Sequence, residues 1–356
     1  MRVLTLVPSQ KGYSPGQRGS IELWEDILKP EGIELIYAPF ETDKLREILH
    51  KAGNTSTKVF EMIRGYANRI KLLQNLDEFD AVFVYREAAL LGPAFLEKMA
   101  ARKKPIIYQL DDPLFMPYKS PSNGYLSYLK FFSKIKEIIR ISKVVMVNST
   151  HIREYAAQFN KNIWQVPSIV DTKIFSYKPT AENLKRPCIG WSGSPTTLKN
   201  IQLVKKPLQK MSEKDIADIH FIGGTDFGLE NVKYTAQKWN GATEVEDLRR
   251  IQIGLVPLPE NSWNGYKFIM KTAQYMALGI VPVGTPMASN PEVIRHGENG
   301  FLAEKDEEWV EYLTLLAEDS NLRNSMSRQA AQDAQENYSL EANAQKVIEA
   351  FRAALK

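Results

Sequence analysis

The chain has 356 residues, with 46 Lys+Arg against 42 Asp+Glu and a formal net charge of +4. That length exceeds one ordinary core and suits two α/β domains of roughly 150 to 180 residues each. The whole-chain field is weak and no recognised nucleic-acid module appears, so nucleic acid is not an expected partner. Cys188 is the only cysteine, and His50, His151, His220 and His296 are scattered without metal-ligand spacing, so neither a disulfide nor a metal centre is expected.

The opening run "RVLTLVP" stops at Pro8, far short of the apolar region of a signal peptide, and reads as a first β-strand. It is followed by "KGYSPGQRG", residues 11 to 19, where Gly12, Gly16 and Gly19 allow close approach by a ligand, although neither the dinucleotide nor the P-loop glycine spacing is present. Further short β-branched runs, "IELIYAP", "AVFVYR", "PIIYQLDD" and "VVMVNS", each lead into a longer segment with helical spacing. Arg86 and Glu87 follow the third of these runs, where they either meet a ligand or pair to hold a loop. Asp111 and Asp112 end the fourth, where the plain alternative is a turn and helix cap. Adjacent residues on an extended chain face opposite ways, so one of these two carboxylates at most is expected to reach a ligand.

The second half repeats the pattern with "PCIGWSGSP", "DIHFIGG", "IGLVPLP" and "IVPVGTP". Alternating strands and helices predict parallel sheets with ligands at the carboxyl ends of the strands. The Pro-rich, polar stretch over 168–186 predicts a linker between an N-terminal domain at 1–167 and a C-terminal one at 187–339, leaving a final helix over 340–356 that packs on either domain. The fold class is therefore α/β, two Rossmann-like doubly wound domains with a cleft between them.

A phosphate site is legible in the second domain. Lys271 falls in the first turn of a helix ending at Gly279, where partial positive charge and unpaired N–H groups suit a di-anionic phosphate. "GWSGSPTTLKN", residues 190 to 200, follows the first strand of the same domain and supplies Gly193, Ser194, Thr196 and Lys199. The competing reading is ordinary helix capping by hydroxyls with solvated lysines.

The run "GYKFIMKTAQYMALGIVPVGTPMASNPEVIRHGENGFL", residues 265 to 302, resembles the signature region of nucleotide-sugar glycosyltransferases with the two-domain GT-B fold, specifically family 4. "VYREAALLGPAFLE", "PIIYQLDDPLF", "VVMVNSTHIREY", "VDTKIF" and "IGWSGSPTTLKN" agree with it in order over nearly the whole chain and are similar to a bacterial branch that builds surface glycans. The resemblance implies transfer of a sugar from a nucleoside diphosphate, UDP or GDP, to a hydroxyl of a glycan, lipid-linked or protein-linked acceptor. It implies retention of configuration, with no cofactor or metal where two lysines stabilise the leaving phosphate.

Residue by residue, it makes Asp111, Lys199 and Lys271 catalytic and puts Gly193, Ser194, Thr196, Tyr266, Lys267 and Gln274 on the donor. Gly223, Gly224 and Trp239 are candidates for the nucleoside pocket, Trp239 being equally compatible with a core position. Gly12, Arg18, Arg86, Glu87 and Asp112 stand on the acceptor side. Tyr266 and Gln274 occupy the places of the family's usual glutamate pair. Gln274 can still bond a ribose hydroxyl, whereas Tyr266 cannot mimic a carboxylate. An inactive nucleotide-sugar-binding protein and a GT-B sugar-nucleotide epimerase are the alternatives.

Two basic amphipathic stretches, "YLSYLKFFSKIKEIIRISK" at 125 to 143 and the weaker "KVFEMIRGYANRIKLLQNL" at 58 to 76, either cover a sheet or lie on anionic lipid. With no apolar run near the roughly 20 residues of a membrane span, a cytoplasmic protein is expected, or one peripheral at the inner membrane face. Oligomeric state is not legible.

Overall fold

The computed structural model describes residues 1–49, 51, 53–117, 129–179, 186–194 and 197–356. The chain divides into two compact units, residues 1–169 with 343–356, and residues 170–342. Each is built on a six-stranded, fully parallel sheet among the described residues.

In the first unit the strands are β1 (Arg2–Val7), β2 (Glu34–Pro39), β3 (Ala81–Tyr85), β4 (Ile106–Leu110), β5 (Val144–Val147) and β6 (Ile163–Gln165), in the order β2-β1-β3-β4-β5-β6. All five residues of β3 and of β4 are buried, as their unbroken apolar runs require of strands covered by helices on both faces. The helix Leu340–Ala353 brings Phe351 to this sheet, stacked on Phe83 at 5.3 Å with Trp24 edge-on to both. Burying one such ring contributes roughly 1.5–3 kcal/mol, enough to tie the end of the chain to its beginning.

In the second unit the strands are β7 (Cys188–Ser192), β8 (Asp218–Ile222), β9 (Thr235–Gln237), β10 (Ile253–Val256), β11 (Val281–Gly284) and β12 (Phe301–Leu302), in the order β12-β11-β10-β7-β8-β9. Trp191, Phe221, Leu255, Val283 and Trp309 form its core. From β7 the chain runs outward to β9, then returns to β10 and runs the other way. The reversal leaves a crevice beyond the carboxyl ends of β7 and β10, where ligands of open α/β sheets bind.

Sequence reading missed β6, β9 and β12, which are two or three residues long. Nor is the start of the expected linker loose: Phe175 packs among buried residues of the second unit, and a Cβ on Gly279 would lie 2.4 Å from the Tyr177 ring.

Candidate active site

The carboxyl edge of the second sheet is shaped first by two glycines. A Cβ on Gly193 would fall 2.1 Å from the Trp191 ring, and one on Gly223, at φ +131, would lie 2.0 Å from the Gly193 carbonyl oxygen. The Gly193 N–H donates to Ile222 O at 2.9 Å, and the Gly223 N–H to Gln237 O at 2.9 Å. The ends of β7 and β8 thus touch through bare backbone, so these glycines already have a reason within the fold, independent of any ligand. Ser194 and Thr197 close the next turn with a 2.9 Å backbone bond and hydroxyls 3.3 Å apart. Thr196 lies outside the described residues. Gly224 backs onto Leu198, and Lys199 is exposed in the 3-10 helix Leu198–Val204.

The helix Met270–Ala277 lies over this edge. No side chain of its N-cap residue, Ile269, closes its first turn. Its entry is fixed instead from β11: the Ile269 N–H donates to Ser289 Oγ at 2.8 Å, and Thr272 Oγ1 donates to Asn290 Oδ1 at 2.8 Å. Asn290 Nδ2 donates in turn to Thr285 O at 3.0 Å. Ser289, Asn290 and Thr272 are fully buried, which makes the position of the helix start costly to change.

Lys271 points its Nζ at the face of Trp191, 4.2 Å from the ring centroid. No carboxylate among the described residues pairs with it. The residue keeps some exposed surface, but burial lowers its pKa from 10.5 to about 7. One turn on, the buried Tyr275 hydroxyl accepts the Ser192 N–H at 2.8 Å; burial raises its pKa despite that bond. A Cβ on Gly254 would lie 2.3 Å from the Tyr275 ring. Lys271 and Tyr275 thus grip β7 side by side. Gln274, on the same side of the helix as Lys271, is half-buried.

The other donor-side residues are spread more widely. Tyr266 and Lys267 are half-buried just after the helix Ser262–Gly265. The Lys267 carbonyl accepts the Ser289 N–H at 3.1 Å, tying it to the same helix entry. Trp239 is 47% exposed, so its ring is open to a partner and the core alternative does not hold.

In the first unit, Arg86 leaves β3 in the left-handed region, at φ +64, where a non-glycine residue needs compensating contacts. Its Nε donates to Asp111 Oδ1 at 2.7 Å and its Nη2 to Asp111 Oδ2 at 2.9 Å and Asp112 Oδ2 at 2.7 Å. The Tyr85 hydroxyl donates to Asp111 Oδ2 at 2.6 Å. One guanidinium therefore meets both carboxylates. Burial works against the Arg86 charge, but Asp111 and Asp112 outweigh it and push its pKa up. Burial and then the Asp111 charge raise the Tyr85 phenol, which stays a donor. Gly16 lies against this cluster, its ideal Cβ 3.1 Å from both Arg86 Nη2 and the Tyr85 oxygen.

Arg86 and Glu87 do not pair with each other. Glu87 takes Lys134 Nζ at 2.8 Å with both side chains buried, and that ammonium also donates to Ala89 O. Arg69, which sequence reading passed over, donates to Ala88 O, Ala38 O and Val7 O and so gathers the ends of β1, β2 and β3. Burial lowers its pKa to about 10, against the pull of Glu97. Gly12, at φ +86, gives its N–H to the Glu22 carboxylate at 3.0 Å, while the Arg18 side chain is exposed.

The architecture is that of known transferases. A glycosyltransferase structure from Rickettsia africae superposes with a TM-score of 0.70 at 15% identity, covering 100% of this chain and 98% of that one. Anabaena HepE, solved in complex with UDP, gives 0.69 at 13% identity, with 99% and 100% covered. These likenesses establish the fold. Residues 268–333 match the family model described as glycosyl transferases group 1. The chain is a glycosyltransferase of the GT-B fold. The matched region of this glycosyltransferase begins two residues before the helix that carries Lys271. A curated relative, the GDP-Man:Man(3)GlcNAc(2)-PP-Dol alpha-1,2-mannosyltransferase of Dictyostelium discoideum, is 28% identical over 364 residues, covering 85% of this chain and 69% of its own length.

Proposed function

We propose that this glycosyltransferase binds a nucleoside-diphosphate sugar on its second unit and transfers the sugar, with retention and without a metal, to a hydroxyl of a glycan or lipid-linked acceptor in bacterial glycan biosynthesis. The observation that carries this reading is Lys271, a desolvated amine at an uncapped helix start with no anionic partner among the described residues. An ammonium held there lacks a counter-ion. A diphosphate supplies one, and its charge grows as it leaves the anomeric carbon, so the attraction strengthens toward the transition state. Lys199 and the first-turn N–H groups add to it, Gln274 bonds the ribose, and Trp239 flanks the base.

In the first unit Asp111 is held by three hydrogen bonds from Tyr85 and Arg86. Its role here is to orient an acceptor hydroxyl or the donor sugar while fixing Arg86, with Asp112, Arg18 and Gly12 on the acceptor side. Support for the donor class comes from HepE, solved with UDP and with UDP-glucose. The Dictyostelium relative is named for a GDP-linked mannose and a dolichyl-diphosphate-linked acceptor, so both UDP- and GDP-sugars belong in the first screen.

The test is incubation with UDP- and GDP-sugars and a panel of glycan and polyprenyl-diphosphate-linked acceptors, with the product's anomeric configuration read by NMR. Acceptor-dependent transfer with retention is expected. Donor binding with neither transfer nor hydrolysis across the panel would instead favour a catalytically silent binder, the reading that Tyr266 and Gln274 in the places of two glutamates keep open.

A further inference from the structure

The helix Thr55–Gln74 is inside out over its first half. Its buried residues are Glu61, Gly65, Arg69 and Leu73, four apart, so the ridge that meets the rest of the unit is largely polar or bare. Glu61 accepts the Thr42 hydroxyl at 2.5 Å, Arg69 binds three carbonyls, and Gly65 leaves room for the Phe40 ring. Three apolar side chains point the other way: Val59, Phe60 and Ile63 are 53%, 64% and 63% exposed. A helix that only covered a sheet would show the opposite pattern.

Charge on the outer face has one sign. Arg64 and Lys71 flank the apolar side chains and are exposed, and the helix's one acidic residue, Glu61, is buried. Three adjacent apolar side chains on a cationic surface fit a layer with an acyl interior and anionic headgroups. The position of this face is informative as well. The helix feeds β3 from its C-terminal end, so Val59, Phe60 and Ile63 lie toward the carboxyl edge of the sheet, where Tyr66 donates to Leu91 O and Arg69 to Ala88 O in the loop that starts with Arg86 and Glu87.

We infer that the outer face of the 55–74 helix docks on an anionic membrane surface, with Phe60 and Ile63 entering the headgroup boundary and Arg64 and Lys71 pairing with lipid phosphates. It deepens the proposed use of a lipid-linked acceptor and rests on that reading for its purpose, though its physical content does not. In the other basic amphipathic stretch the helix Lys134–Ile141 buries Ile135, Ile138 and Ile139 together with Lys134, Leu129 and Phe131 are exposed, and residues 118–128 lie outside the described residues.

The experiment is co-sedimentation of the full chain with phosphatidylcholine vesicles, with and without phosphatidylserine, at low and high salt. Binding only to the anionic vesicles, weakened by salt, is expected. The double variant Phe60→Ser with Ile63→Ser should bind at least about tenfold more weakly, with its melting curve and nucleotide response unchanged because neither residue touches the sites described above. Arg64→Gln with Lys71→Gln should flatten the salt dependence. Absence of vesicle binding by the unmodified protein, or binding that ignores both double variants, would overturn the inference. So would self-association abolished by Phe60→Ser, which would make a second copy the occupant. Vesicle binding is read without turnover, so failure of the transferase reading appears separately, as loss of nucleotide binding.

Discussion

The Lys271 ammonium lies 4.2 Å from the centre of the Trp191 ring and has no carboxylate partner among the described residues. Two neighbouring elements of the second unit are joined by that contact, since Trp191 belongs to β7 and Lys271 opens the helix over its end. The ring's negative face partly replaces the water that the ammonium has lost, and an incoming phosphate would complete the replacement.

Proton uptake on nucleotide binding follows. Burial lowers the Lys271 pKa to about 7, so above that pH the free protein holds mainly neutral amine, and a diphosphate must restore the proton. Between pH 7.5 and 9, above the nucleotide's own phosphate pKa of about 6, affinity should fall by up to about tenfold per pH unit. Calorimetry in buffers of different ionisation enthalpy should show nearly one proton taken up at the upper end, and none after Lys271→Met. In the absence of nucleotide the sign is different. The unfolded chain binds this proton up to about pH 10.5 and the folded one only to about 7. The burial cost of the charge is therefore full below pH 7 and is relieved as pH rises toward 10.5.

Gly193→Ala should be far more damaging than an exposed glycine change. Its Cβ would meet the Trp191 ring at 2.1 Å, displacing the surface on which Lys271 rests. A loss of roughly 1–3 kcal/mol in denaturant unfolding is expected from overpacking, together with loss of nucleotide-induced stabilisation. Gly12→Ala should leave nucleotide binding unchanged, because open space surrounds its Cβ position, although its φ of +86 makes it mildly destabilising.

The buried pair Lys134 and Glu87, 2.8 Å apart, should give a strongly non-additive cycle. Lys134→Met alone strands Glu87 in the interior and should cost about 3–5 kcal/mol. Lys134→Met with Glu87→Leu should recover much of that loss. Additive losses in urea titrations would mean that the two side chains act independently.

Asp111→Asn should separate the two units' roles. It weakens the charge-assisted grip on Arg86, which keeps Asp112 at 2.7 Å, at a cost of roughly 1–3 kcal/mol. Transfer to acceptor should fall, while nucleotide binding by the second unit stays as in the unmodified protein; a nucleotide affinity that falls in step with transfer would contradict this division.

The longer strands were legible because their apolar runs are unbroken, and Lys271 because it stands at the start of a periodic helix that ends at a glycine. β9, "TAQ", carries too little apolar pattern to be read. Trp191, Tyr275 and Arg69 were missed for a common reason. Each acts on residues distant in sequence, and nothing local marks it: Tyr275 binds the Ser192 N–H, 83 residues away, and Arg69 reaches Val7 O, 62 residues away. The 55–74 helix is only weakly amphipathic in sequence because its inner ridge carries Glu61, Gly65 and Arg69. Asp111 was singled out without the Tyr85 and Arg86 partners that define what it can do, since pairing across strands requires the sheet order.

The most direct test of the donor site is thermal stabilisation by UDP, GDP, ADP and CMP, measured on the unmodified protein and on Lys271→Ala. A nucleotide at 100 times its dissociation constant adds about 2.7 kcal/mol, a readily measured shift. The expected result is that one nucleoside diphosphate stabilises the unmodified protein and that Lys271→Ala abolishes the effect. Equal stabilisation of both proteins, or none by any nucleotide at millimolar concentration, would contradict the assignment of Lys271 to a donor diphosphate.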